Sequence, residues 1–192
     1  GVGELTDNQF SIPLQTRIST DLGRTMTDYG TTWFVNSTIW RRSSHAAGAR
    51  STVGFSINTP VSIDWTYPAT SLSSLNSLSN IVGLSTEDES TIFAILCPPR
   101  ITNSQFLIAS PSSTLVQSIA GVTGVSNISG HKGRINITSD RRISFQIATL
   151  TGVTYTTVWT SDIQLSTLPL LYFYNTFCYS QERIIDCKIT YL

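Results

Sequence analysis

The feature that most constrains this chain is a spacing of two. In RRISFQIATL, Ile143, Phe145 and Ile147 share one side of an extended segment, with Thr149 continuing the row, while Ser144, Gln146 and Ala148 share the other, because successive side chains of a strand point to opposite faces. The apolar side is the expected core face. Short runs of the same kind, alternating or rich in β-branched and aromatic residues, recur between clusters of Gly, Pro, Asn and Ser. They are QFSIPLQTRI, TTWFVNSTIW, STVGFSI, VSIDWTY, STIFAILC, SQFLIAS, STLVQSIAGV, KGRINITS, RRISFQIATL, VTYTTVWTSDI, LPLLYFYN and RIIDCKITYL. Such a series suits two stacked antiparallel sheets, an all-β jelly-roll sandwich with little helix. Helical spacing surfaces only in ATSLSSLNSLSNIVGLS, where Leu72, Leu75, Leu78 and Val82 recur every three or four residues. Its serines and asparagines predict a short helix or a loop across an open end of the sandwich.

A chain of 192 residues can bury a sizeable core as one domain. No repeat or low-complexity linker marks a second domain. Residues 1–47 carry the turn signals LGRTMTDYG and RRSSHAAGA, and are expected to be an N-terminal arm or an edge-strand segment. Charged residues make up only 12% of the chain, about half the usual share. In their place stand 27 Ser and 27 Thr, which predict a hydroxyl-rich surface. Twelve basic and twelve acidic residues cancel, so the electrostatic footprint of a nucleic-acid binder is missing. Arg41-Arg42, Arg141-Arg142 and Glu87-Asp88-Glu89 read as solvated turns. No apolar run approaches the roughly 18 residues of a membrane helix, so neither nucleic acid nor membrane insertion is expected. The opening residues, GVGELTDNQF, lack the pattern of a signal peptide. The start at Gly1 leaves a processing site and a trimmed boundary both open.

Catalysis needs a constellation of groups, and the supply is thin. His45 in SSHAAG and His131 in SGHKG both sit beside glycines and read as exposed loop residues. No G-x-S-x-G elbow and no phosphate-binding glycine loop occurs. The acids outside the 87–89 cluster, among them Asp64, Asp140, Asp162, Glu182 and Asp186, are scattered singly, unlike the paired carboxylates of a glycosidase. No EF-hand pattern supports calcium at Asp140 or the acidic loop. The expectation is a protein without catalytic residues, metal or cofactor. Cys97 looks like a buried apolar thiol. Cys178 and Cys187 are nine residues apart, a spacing that lets them face one another across a hairpin, where a bridge or two free thiols would both fit. Two cysteines without a nearby histidine do not make a zinc site.

What remains are aromatics. Trp33, Trp40, Trp65 and Trp159 lie in or beside the strand segments, with Tyr67, Tyr155, Tyr172 and Tyr174 nearby. Ring faces beside hydroxyl and amide groups are how a shallow sugar site works; Trp65, Tyr67, Tyr155 and Trp159 are the candidate ligand-binding residues. Asn36, Asn127 and Asn136 head glycosylation sequons, which arise by chance in so hydroxyl-rich a chain.

The last fifty residues run from RRISFQIATL through STLPLLYFYN and a polar loop to RIIDCKITYL. They resemble the end of the concanavalin A-like, laminin G-like jelly-roll domains of phage and prophage virion proteins. Leu168-Pro169-Leu170 and Asn175 match a Leu-Pro strand and an Asn-containing loop, and Lys188-Ile189-Thr190-Tyr191 matches the closing strand. TFCYSQE stands where those domains have a glycine-rich loop. The resemblance implies an adhesin or a structural module: a non-enzymatic virion-surface protein of a phage tail or head that self-associates or assembles with other virion proteins and recognises host-surface glycans. Its setting would be the virion surface or the extracellular space. Two other readings suit the same residues, an icosahedral capsid jelly roll processed from a precursor and a secreted carbohydrate-binding module or glycosidase domain. The closing segments LPLLYFYN and RIIDCKITYL are expected to pair as a hairpin.

Overall fold

The computed structural model describes residues 8–11, 14–18, 47–51, 54–69, 81–85, 92–97, 106–109, 117–119, 122–126, 128–161, 164–165, 170–177 and 184–192. None of these is helical. They form thirteen strands: β1 (Gln9–Ser11), β2 (Leu14–Ile18), β3 (Ala47–Ser51), β4 (Val61–Tyr67), β5 (Ile81–Ser85), β6 (Ile92–Cys97), β7 (Phe106–Ala109), β8 (Gln117–Ile119), β9 (His131–Ile137), β10 (Ile143–Ala148), β11 (Thr156–Thr160), β12 (Tyr172–Phe177) and β13 (Ile185–Tyr191). Six make one sheet in the order β1-β13-β4-β9-β10-β11, and seven make the other in the order β2-β3-β12-β5-β6-β7-β8. Every pairing is antiparallel. This is the all-β, two-sheet sandwich that the alternating segments predict.

The two sheets meet through the residues that the spacing of two puts on one side. From the six-stranded sheet come Val61, Ile63, Trp65, Ile135, Ile137, Ile143, Phe145 and Ile147; from the other come Val82, Leu84, Leu96, Phe106, Ile108 and Phe173, all in one buried cluster. The Trp65 and Phe173 rings, 5.6 Å apart and tilted by 35°, join the layers. Both are essentially closed to solvent. At about 1.5–3 kcal/mol for each large apolar side chain withdrawn from water, this interior is the main source of stability.

Three segments differ from expectation. IVGLS is strand β5, pairing with both β12 and β6, with Val82 and Leu84 buried. Alternation across a β-branched start overrides the leucine spacing upstream, and the rest of the segment expected as a short helix or a loop, residues 70–80, lies outside the described residues. QFSIPLQTRI is two strands on different sheets; Pro13, which cannot donate to a ladder, falls between them. TTWFVNSTIW, with Trp33 and Trp40, lies outside the described residues, as does His45. The expected closing hairpin does not form: β12 pairs with β3 and β5, whereas β13 pairs with β1 and β4. The chain changes sheets between them, because both segments have apolar residues to bury against the interior from opposite sides. Of the two cysteines of that hairpin, Cys187 is a free, buried thiol, and Cys178 lies outside the described residues.

Asn175 ties this crossover together. It is fully buried, and its Oδ1 accepts the backbone N–H of Ile184 at 3.4 Å. The terminal strands close the six-stranded sheet, with Asn8 Nδ2 donating to the Tyr191 carbonyl at 2.8 Å and Tyr191 N–H to the Asn8 carbonyl at 3.0 Å.

Candidate functional site

Two adjacent rows of side chains that face away from the core on the six-stranded sheet are polar from edge to edge. Cross-strand neighbours put Ser11 beside Lys188, Lys188 beside Asp64, Asp64 beside Arg134, Arg134 beside Gln146 and Gln146 beside Thr157. This row crosses all six strands. The row next to it reads Gln9, Thr190, Ser62, Asn136, Ser144 and Thr160 in the same order. Alternation explains both rows: VSIDWTY sends Ile63 and Trp65 inward and Asp64 outward, and HKGRINI sends Gly133 and Ile135 inward and Lys132 and Arg134 outward. Side-chain hydrogen bonds link neighbours along them, from Gln146 Nε2 to Thr157 Oγ1 at 3.2 Å and from Gln9 Nε2 to Thr190 Oγ1 at 3.4 Å.

A groove of about 510 Å³ opens on this face. Asp64 lies low in it, with only 12% of its side chain exposed, and its Oδ1 accepts the Arg134 Nε–H at 2.7 Å. Tyr155, one residue before β11, forms a wall. The Arg134 guanidinium lies 4.0 Å from the Tyr155 ring centroid and the Lys132 ammonium 5.8 Å. Arg134 thus bridges a carboxylate and an aromatic face, using the planar donor fork that lysine lacks. Burial first, and the Asp64 carboxylate second, hold the Tyr155 phenol above its ordinary value against the pull of Arg134. Near neutral pH that phenol is a neutral group that both donates and accepts. Lys188, Thr66 and Ser11 extend the rim, and Asp186 completes it from a bulge in β13. The arrangement offers a ring face, cationic donors, carboxylate acceptors and hydroxyls within one open groove.

The four aromatic candidates separate. Tyr155 lines the groove. Trp65 borders the groove, but at 2% and 0% exposure the side chains of Trp65 and Tyr67 belong to the interior, on the opposite side of β4 from Asp64, because the odd positions of VSIDWTY face the core. Trp159 is half-buried, opposite Phe145 with ring centroids 5.8 Å apart, and packs on the core margin. His131 is corrected. It opens β9, is buried, and packs on Tyr67 at a centroid distance of 5.3 Å. Burial drives its imidazole down to about 4, against a backbone hydrogen bond at Ser126, so it is a core residue. Asp140 is committed locally, accepting the Thr138 hydroxyl and the Arg142 Nε–H. No cluster of three or more His, Cys, Asp or Glu among the described residues could hold a metal ion. The 87–89 acids, Asp162 and Glu182 lie outside the described residues.

Sequence reasoning missed Asp64, Lys132, Arg134 and Lys188 as a group. Alternation places each on a polar face, but register between strands separated by 70 residues or more in the chain brings them together.

No family model matches this sequence, and no curated protein does. Solved structures share its architecture. The exoplasmic/lumenal domain of VIP36, in a Ca²⁺- and mannose-bound form, superposes with a TM-score of 0.52 at 10% identity, over 76% of this chain and 73% of that one. The carbohydrate recognition domain of Emp47p gives 0.41 at 9% identity over 76% and 77%. A prokaryotic β-1,3-1,4-glucanase derived from a mouse hindgut metagenome gives 0.40 at 11% over 76% and 68%. The likeness to VIP36 shows a shared two-sheet jelly-roll fold.

Proposed function

We propose that this chain is a non-enzymatic carbohydrate-recognition domain that binds a glycan in the groove on the outer face of its six-stranded sheet. The observation that carries the reading is the groove's composition: the Tyr155 ring stands beside the Asp64–Arg134 ion pair at 2.7 Å, within a face of hydroxyls, amides and cationic donors. A sugar presents C–H faces to a ring and many O–H groups to polar side chains, and both needs are met within one cleft. Occurrence of the fold in the exoplasmic/lumenal domain of VIP36, in a Ca²⁺- and mannose-bound form, supports the reading. Display at a virion surface, with self-association or assembly onto other virion proteins, is the setting we propose from the resemblance of the closing segments.

The test is an NMR titration with the methyl glycosides of mannose, glucose, galactose, N-acetylglucosamine and glucuronic acid. Saturable shifts at Tyr155, Arg134 and Lys188 are expected, with Tyr155→Ala weakening binding at least about tenfold and Tyr155→Phe far less. The matching p-nitrophenyl glycosides should release no p-nitrophenol. Binding by none of the glycosides, or turnover abolished by Asp64→Asn, would overturn the reading.

A further inference from the structure

The bulge that brings Asp186 to the groove also sets the phase of the strand, leaving Ile184 and Cys187 buried and Ile185 exposed. Ile185 pairs with Thr66 and Lys188 with Asp64, so two residues of β13, Asp186 and Cys187, stand against the single Trp65 of β4. The extra residue breaks the alternation of the strand: Ile185 and Asp186 are both exposed, while Cys187 and Ile189 keep to the interior. Asp186 takes a left-handed backbone, φ 53°, at a position where glycine would be free of strain. Among the described residues Arg141 alone of the other non-glycines does the same, at φ 61°. Its reason is visible, since Arg141 Nε donates to the Leu165 carbonyl at 2.9 Å and its backbone N–H to the Thr138 carbonyl at 2.9 Å. The Asp186 carboxylate makes no hydrogen bond or ion pair with a described residue; it lines the groove, beside Lys188 and Lys132. The bulge accounts for the left-handed backbone, and the carboxylate that it carries into the groove is placed to accept from a ligand.

Resting on the glycan-binding reading above, we infer that Asp186 is the groove's specificity-determining acceptor, and that the ligand is an uncharged pyranose with two adjacent hydroxyls. An ionised carboxylate accepts on both oxygens and donates from neither, so it suits a pair of neighbouring O–H groups. Lys132 and Lys188 supply donors to the sugar's acceptor oxygens. A sugar carboxylate would pair with Lys132 and Lys188 and be repelled by Asp186, so it would not use Asp186 as an acceptor.

The experiment compares wild type, Asp186→Gly and Asp186→Asn by NMR titration with the same five methyl glycosides, alongside thermal unfolding. The expected result is that Asp186→Gly unfolds at the same or a higher temperature, because its left-handed backbone is relieved, yet binds the preferred neutral glycoside at least tenfold more weakly. Asp186→Asn, which keeps one acceptor and tolerates the conformation, should fall between. Unchanged affinity in Asp186→Gly would overturn the inference while leaving glycan binding in the groove intact, as would wild-type preference for the glucuronide. Failure of wild type to bind any of the five would overturn both.

Discussion

The Trp65 indole occupies the space that a side chain on Gly133 would need. The two residues are direct cross-strand neighbours on β4 and β9, and a Cβ added at Gly133 would overlap Cζ2 and Cε2 of the indole. Gly133 thereby lets the largest side chain of the core lie against the sheet and reach Phe173 on the other layer. It also fixes the alternation that turns Lys132 and Arg134 to the groove. Glycine inside a strand commonly marks such a close approach.

Gly133→Ala should therefore destabilise the domain by about 1–3 kcal/mol, the usual cost of overpacking a filled interior. The Trp65→Phe background should shrink that cost, because the smaller ring vacates the space. Chemical denaturation of the four members of this double-mutant cycle measures the coupling. Additive effects would mean that the indole and Gly133 do not compete for the same volume.

Cys187 offers a check on the crossover between sheets. Its thiol is 7% exposed, and burial together with the nearby Asp64 carboxylate pushes it well above the ordinary thiol value. Since the thiolate is the reactive form, iodoacetamide at pH 8 should leave Cys187 unmodified in the native protein and label it fully in urea. Peptide mass mapping reads the site. Recovery of Cys187 bridged to Cys178 would restore the closing hairpin and displace the two-sheet path of the last strands.

The fold was legible where burial is one-sided. In VSIDWTY and KGRINITS, alternation alone tells the core face from the outer face, and both strands lie where the segments predict. Ring type was a poorer guide: Trp65 and Tyr67 look like sugar platforms by chemistry, yet the same alternation that turns Asp64 to the outer face sends them to the interior. The bulge at Asp186 left no sign, since an extra residue in one strand is defined only against its partner. The sheet change after β12 was equally hidden, because local pattern says which face is apolar and not which layer it joins. Arg134 and Asp64 became a site only once the register was known.

His131 carries the pH dependence. It is buried without a partner for Nδ1, and burial lowers its imidazole from 6.5 to about 4. The unfolded chain, where the group titrates near its ordinary value, therefore binds more protons between those two pH values. The sign follows: the contribution of neutral, buried His131 is complete above pH 6.5 and is lost as the pH falls through that window to about 4. The loss amounts to about 3 kcal/mol, from roughly 1.4 kcal/mol per pH unit of displacement. Urea unfolding of wild type and His131→Gln at pH 7.5 and pH 4 isolates this share, because the carboxylates that titrate at acid pH are common to both proteins and cancel in the difference. Wild type should lose about 3 kcal/mol more than the variant over that range. Equal losses would place the imidazole in contact with water, and with it the start of β9 and the packing of His131 on Tyr67.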